Sequence, residues 1–125
     1  MPKRILLIDD EDGARRITQF SLEAAAGWEV LPAASGAEGL SLAETEQLDA
    51  ILLDVMMPDL DGPATFQRLQ EKPTTRSIPV IMLTAKASPT EHQPLVELGI
   101  AGIITKPFKI PALIAQIRAI LSWQD

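Results

Sequence analysis

Five polar residues stand at the ends of apolar runs in this chain. Asp9 and Asp10 come straight after Ile5 to Ile8, Asp54 after Ala50 to Leu53, Thr84 after Val80 to Leu83, and Lys106 just past Ile100 to Ile104. Each alone has an ordinary explanation, because an aspartate can cap a helix or open an Asx-turn and short polar residues are common where strands become loops. Sharing one edge, they form a set of three carboxylates, a hydroxyl and an ammonium. Two carboxylates about 5 Å apart repel by roughly 3 kcal/mol at an effective dielectric near 20, so three mutual pairs reach about 10 kcal/mol. That rivals the stability of a whole domain, about 5 to 15 kcal/mol. Lys106 offsets only part of it, so such a site binds a cation or retains a proton. Oxygen donors without His or Cys beside them select a hard ion, and a half-open site that keeps waters suits Mg²⁺ better than Ca²⁺. The same set is equipped for phosphoryl transfer: metal and Lys106 neutralise the equatorial oxygens, Thr84 hydrogen-bonds one of them, and Asp54 attacks in line while Asp9 and Asp10 share the metal.

What must bring these residues together is a parallel sheet. The apolar runs, with the half-apolar stretch from Trp28 to Ala33 as a further candidate, are near-continuous rather than alternating, as strands covered on both faces require. Helical segments separate them. Asp12 to Ala26 carries Ile17, Ser21 and Ala24 along one side and ends at Gly27. Ser35 and Glu38 make a capping-box pattern ahead of Leu40 and Ala43. Asp61 and Gly62 precede Pro63 at a helix start, with Phe66 and Leu69 inward. The last helix starts near Pro111 and bears the wide apolar stripe Leu113, Ile114, Ile117, Ile120 and Leu121. For the fourth helix, Ser88, Pro89 and Glu91 resemble a capped start, but Pro94 would then fall inside the helix. The proline predicts a late start near Glu91 or His92 that puts it in the first turn, and a continuous unbent helix from Pro89 to Leu98 would contradict this. The β-α order repeats five times, which with right-handed crossovers gives an open parallel sheet whose ligands bind beyond the carboxyl ends of the strands.

Composition sets the outer limits. With 125 residues, 46% of them hydrophobic, the chain reads as one domain over 1–125 with a core of its own. It contains no cysteine, and no stretch approaches the roughly 18 to 20 apolar residues of a membrane span. Ile5 to Ile8 is too short for a signal peptide's apolar region, so the expected location is cytoplasmic. A net charge of -6 argues against direct nucleic-acid binding. His92 reads as a solvated helix residue, Met56 and Met57 as packing and loop residues, and Ile110 and Trp123 as a contact patch if they cluster near the last helix.

The pieces "ILLIDDED", "LLDVMMPDLDG", "PVIMLTA" and "GIITKPF", in this order and spacing, make the chain resemble the receiver domains of two-component response regulators, the CheY-like family, over essentially its whole length. The resemblance implies a doubly wound five-stranded parallel sheet of the flavodoxin-like kind, strand order 2-1-3-4-5. Carried over by position, it makes Asp54 the phosphoacceptor, Asp9 and Asp10 the acidic pair that holds Mg²⁺ with Asp54, and Met56 the donor of a backbone carbonyl ligand. Thr84 and Lys106 contact the phosphoryl group, and the bond from Lys106 to Pro107 is cis. The implied donor is a phosphohistidine on a sensor histidine kinase or phosphotransfer protein. The implied reader is a downstream protein or output domain that binds the face formed by the fourth helix, fifth strand and fifth helix. On this reading the chain catalyses only its own phosphoryl transfer and dephosphorylation. Four positions bear on how far the family pattern carries over. Ile103 occupies the place usual for Tyr or Phe, so the aromatic readout of the switch cannot operate in its usual way. Met56 and Lys86 border the phosphoryl group, and Pro94 lies in the reading face.

Three other readings compete. "LLIDDEDG" also fits the strand and Asp10-x-Asp12 start of an aspartyl phosphatase of the haloacid-dehalogenase type, but that class needs an acidic pair beyond its lysine, and after Lys106 the chain has only Asp125. A flavin or nucleotide carrier needs a Gly-, Ser- or Thr-rich phosphate loop where this chain is acidic. A receiver that no longer switches would serve only as a docking module.

Overall fold

The computed structural model describes residues 2–124, and the apolar runs do form the strands of one sheet. In chain order the elements are β1 (Arg4–Ile8), α1 (Asp12–Ala26), β2 (Glu29–Ala33), α2 (Gly36–Thr45), β3 (Ala50–Asp54), α3 (Gly62–Gln70), β4 (Val80–Thr84), α4 (Pro89–Val96), β5 (Gly102–Thr105) and α5 (Ile110–Leu121). The five strands are parallel in the order β2-β1-β3-β4-β5.

Pleating divides the apolar runs between two cores. Ile5 and Leu7 of β1, Leu52 of β3, and Ile81 and Leu83 of β4 pack with Leu22 of α1 and with Leu113, Ile114 and Ile117 of α5. The alternate residues Leu6, Ile8, Ile51, Leu53, Val80 and Met82 pack on the other face with Ala43 of α2 and with Phe66 and Leu69 of α3. Both faces are covered, which is why these strands show no polar alternation. All five residues of β3 and all five of β4 are buried, Asp54 and Thr84 included.

Local chemistry fixes the helix ends. Gly27 closes α1 in the left-handed conformation at φ 73°. Ser35 Oγ accepts from the Glu38 N–H at the start of α2, and Asp61 Oδ1 accepts from the Ala64 N–H at the start of α3. α3 begins at Gly62, one residue before Pro63, because the Asp61 cap sets the boundary.

Three expectations are corrected. The side of α1 bearing Ile17 faces outward, leaving Ile17 67% and Phe20 72% exposed; Thr18 and Leu22 are the buried residues of that helix. Ile110 and Trp123 form no free patch, since both pack against the core, Trp123 meeting Trp28 edge to face with ring centroids 5.4 Å apart. The fourth helix starts at Pro89, and Pro94 lies inside it. Ser88 Oγ accepts from the Glu91 N–H at 3.2 Å, and Pro89 occupies the first turn, where a missing N–H has no intrahelical role. That capped start prevails over the penalty at Pro94. The penalty still shows: α4 has eight residues, stops at Val96 and contains no buried residue.

Pro94 removes the bond its nitrogen would give to the Thr90 carbonyl and crowds that carbonyl with its ring. Replacing Pro94 by Ala is expected to stabilise α4 by about 1 to 3 kcal/mol. Amide hydrogen exchange checks this: α4 amides should slow while those of β1 and β3 keep their rates, and unchanged α4 exchange would mean that the proline is not what weakens the helix.

Candidate functional site

The strand ends that carry the polar residues all lie at one edge, because every strand runs the same way. The ladder continues past each strand and locks these ends. The Val55 N–H donates to the Leu83 carbonyl at 3.0 Å just beyond Asp54, and the Lys106 N–H donates to the Thr84 carbonyl at 2.7 Å just beyond β5. The Asp9 N–H donates to the Ala33 carbonyl at 3.1 Å. Gly62 keeps the chain after Asp54 close to its strand: its N–H donates to the Val55 carbonyl at 2.9 Å, and a Cβ there would lie 2.8 Å from Val55 Cα and 2.9 Å from the Asp54 carbonyl oxygen.

Within this frame Asp9, Asp10 and Asp54 each offer a carboxylate oxygen, all within 4.8 Å of one another. Lys106 Nζ stands 3.2 Å from Asp54 Oδ1 and 4.0 Å from Asp9 Oδ2. Asp9 and Asp54 are buried, while Asp10 is exposed at the rim. Two contacts orient Asp9: its Oδ1 accepts from the Glu11 N–H at 3.0 Å, and its main-chain carbonyl accepts from Arg15 Nη1 at 2.9 Å. Thr84 is 2% exposed, and its Oγ1 accepts from the Lys86 N–H at 3.1 Å.

Burial pushes the Asp54 carboxyl above the ordinary carboxylate range. The charge of Lys106 and its hydrogen bond pull the other way, the Asp9 carboxylate adds to the rise, and the Met56 N–H bond opposes it. Burial prevails because the ammonium is half-exposed and divides its field between two acids. Such a carboxylate is short of positive charge.

The donor chemistry fits a hard divalent cation. Three carboxylates converge, no soft ligand stands among them, and Asp10 leaves the grouping open to solvent on one side. Among the described residues this is the one acidic or histidine grouping compact enough to hold an ion.

The structure thus brings the carboxylates of Asp9, Asp10 and Asp54 within 4.8 Å of one another, sets Lys106 against Asp54 and Asp9, and places Thr84 on the neighbouring strand end. Met56 follows Asp54 by two residues with an exposed side chain, and Lys86 is exposed two residues after Thr84. Ile103 is half-buried on β5. The peptide bond between Lys106 and Pro107 is cis. Two contributors escaped the sequence reading. Arg15 is not among the residues singled out from the sequence, although its place six residues after Asp9, on the first turn of a helix that leaves the site, is a usable signal. His92 stands half-exposed on α4, as expected of a helix residue, but its Nε2 also lies 2.6 Å from the Lys86 carbonyl oxygen.

No helix among the described residues is long and apolar enough to cross a membrane. Comparison with known proteins adds the family. The family model of the response regulator receiver domain matches residues 5–118. The alkaline phosphatase synthesis transcriptional regulatory protein PhoP of Bacillus subtilis is 40% identical over 121 residues, covering 97% of this chain and 49% of that protein. The chain therefore spans about half the length of this curated relative. Among solved structures, the chemotaxis response regulator CheY4 of Vibrio cholerae superposes with a TM-score of 0.90 at 29% identity, covering 96% of this chain and 99% of that one. The receiver domain of the sensor histidine kinase PA1611 from Pseudomonas aeruginosa superposes with a TM-score of 0.86 at 27% identity, over 98% and 99% of the two chains, and holds a magnesium ion in its active-site cleft. By fold, strand order and matched residues, this chain belongs to the response regulator receiver domain family.

Proposed function

We propose that this chain is a single receiver domain that takes a phosphoryl group onto Asp54 and thereby switches the surface it presents to a downstream protein or output domain. The observation that carries the reading is the position of Asp54: buried, 3.2 Å from Lys106, and within 4.8 Å of the Asp9 and Asp10 oxygens. Asp54 Oδ attacks the phosphorus of a phosphohistidine, the new O–P bond forms as the P–N bond breaks, and the imidazole leaves with the bonding pair. Lys106 faces the charge that develops on the phosphoryl oxygens, and the Thr84 hydroxyl donates to one of them. Asp9, Asp10, Asp54 and the Met56 carbonyl would hold Mg²⁺, which when bound neutralises phosphoryl charge and relieves the repulsion among the acids. Arg15 and the Glu11 N–H keep Asp9 aimed inward. The chain's catalysis extends only to its own phosphoryl transfer and dephosphorylation.

The donor is a sensor histidine kinase or phosphotransfer protein. It must approach over the strand ends, where a groove of about 440 Å³ runs beside Lys106 and Pro107, walled by Ala14, Ile17, Leu83 and Ala85. Exposed Ile17 gives such a protein apolar surface next to the acceptor. On the far side, Val96 at the end of α4 and Leu98 just beyond it are exposed, which suits a face that a partner reads. The phosphatase alternative is disfavoured by the absence of any acid from Pro107 to Gln124; Asp125 lies outside the described residues.

Incubation with Mg²⁺ and acetyl phosphate is expected to add one phosphate to the chain, read by intact mass, and none to the Asp54→Asn variant. Equal gain in both would place the acceptor elsewhere, and no gain in either would leave the switch without its chemistry.

The raised Asp54 pKa makes a second prediction, for metal-free buffer. A carboxyl whose pKa is higher folded than unfolded contributes stability that is complete below the unfolded value near 3.8 and is lost as pH rises through the folded value. At neutral pH ionised Asp54 therefore destabilises the fold. Asp54→Asn should show a higher urea midpoint than the parent at pH 7, with the difference shrinking as pH falls through the carboxylate range. Added Mg²⁺ should narrow the difference at pH 7 by stabilising the parent more than the variant. A difference that widens on acidification would contradict the account.

A further inference from the structure

The link from Thr84 to the reading face lacks its usual part in this chain, because Ile103 carries neither an aromatic ring nor a hydroxyl and the chain has no tyrosine. A different link is present. The Lys86 N–H donates to Thr84 Oγ1 at 3.1 Å, and the carbonyl oxygen of the same Lys86 lies 2.6 Å from His92 Nε2 on α4. A carbonyl only accepts, so Nε2 carries the proton of this bond. The site hydroxyl, the Lys86 residue and the imidazole thus form one hydrogen-bonded series that leaves the site and ends on the helix.

The helix it reaches is held weakly. α4 buries no residue, contains Pro94, and reaches the core only through half-buried Leu95. At its start the helix is tied by the Ser88 cap, one residue before it, whereas His92 reaches back six residues to the loop that carries the Thr84 contact. An element with so little buried surface takes its position from a few polar ties.

We propose that His92 transmits the state of Thr84 to α4: when the Thr84 hydroxyl turns toward a phosphoryl oxygen on Asp54, the Lys86 N–H loses its acceptor, the Lys86 carbonyl shifts, and the imidazole carries that shift into the helix. The inference rests on the receiver reading above. His92 is a positioning residue and touches none of the reacting atoms.

His92 is the only histidine, so its ring gives a single, assignable set of resonances. The test adds beryllofluoride with Mg²⁺ to the parent chain, His92→Ala and His92→Gln at constant pH, and follows the ring signal with the amides of the site and of α4. In the parent, the His92 ring, the Lys86 amide and the α4 amides should all shift. In His92→Ala the site amides should still shift while the α4 response is lost, and in His92→Gln, whose amide can donate to the same carbonyl, the α4 response should return in part. A purely structural tie predicts otherwise: α4 would exchange faster in His92→Ala with and without beryllofluoride, yet its amides would keep their shifts. That result, or a silent His92 ring in a parent whose site amides move, overturns the proposal and leaves the receiver reading standing. If no amide of the parent responds, the receiver reading falls and this inference falls with it.

Discussion

The site depends on an imbalance of charge. Asp9, Asp10 and Asp54 bring three carboxylate oxygens within 4.8 Å of one another, and the ammonium that reaches them, Lys106, is half-exposed and shared between two of the acids. At an effective dielectric near 20, the attraction of one ammonium at contact distance amounts to a few kcal/mol, of the same order as a single carboxylate–carboxylate repulsion. One cation therefore cannot balance three close acids, and at Asp54 burial is the larger cost still: it lifts the carboxyl's pKa even though Lys106 pulls it down by more than the Asp9 carboxylate raises it. The opposite end of the sheet shows the contrasting solution. There half-exposed Arg4 meets Glu29 at 3.1 Å and Glu46 at 2.9 Å, and these carboxylates, unlike those of Asp9 and Asp54, reach far enough into solvent for water to screen what the guanidinium does not neutralise. The same chain satisfies its acids at one end and leaves them wanting positive charge at the other.

The imbalance survives because the fold is built around it rather than through it. The buried side chains of β3 and β4 pack into two separate cores, and the ladder carries on past Asp54 and Thr84 through the Val55 and Lys106 amides. The backbones of Asp9 and Asp54 cannot separate without breaking strand pairing, while Arg15 and the Glu11 amide fix Asp9 from the helix side. A rigid sheet thus stores electrostatic free energy at one edge. A hard cation or a phosphoryl group that arrives there meets groups already in position, so little ordering opposes its binding.

Much of this was legible in the sequence because it follows from parallel topology. Uninterrupted apolar runs require strands covered on both faces, and once the strands are parallel their last residues share an edge, so Asp9, Asp54, Thr84 and Lys106 could be grouped without coordinates. The helix starts at Ser35 and Asp61 were legible because capping is local. What escaped depends on details that periodicity does not carry. On α1 the apolar Ile17 marked the wrong side, since burial there goes to Thr18 and Leu22 and the helix is turned by the sheet it packs on. On α4 the capped start at Ser88, Pro89 and Glu91 was legible, but the cost of Pro94 was given more weight than the cap that opposes it. The His92 bond joins a side chain to a backbone carbonyl six residues earlier, a contact set by how a loop folds back, and residue types alone say nothing about it.

Two of these misreadings, at Pro94 and at His92, fall on α4, the helix that buries no residue. A two-state element must receive about 5.5 kcal/mol of differential interaction to pass from 1:99 to 99:1. An element that buries several large side chains resists displacement by more than that, since each fully buried aliphatic side chain contributes roughly 1.5 to 3 kcal/mol. α3, with Phe66 and Leu69 buried, is poorly suited to move. α4, with no buried residue and a proline in its middle, opposes a shift with little besides its polar ties. The features that made α4 hard to read from sequence, a weak apolar face and an interrupted ladder, are therefore the features that leave it least anchored against a shift.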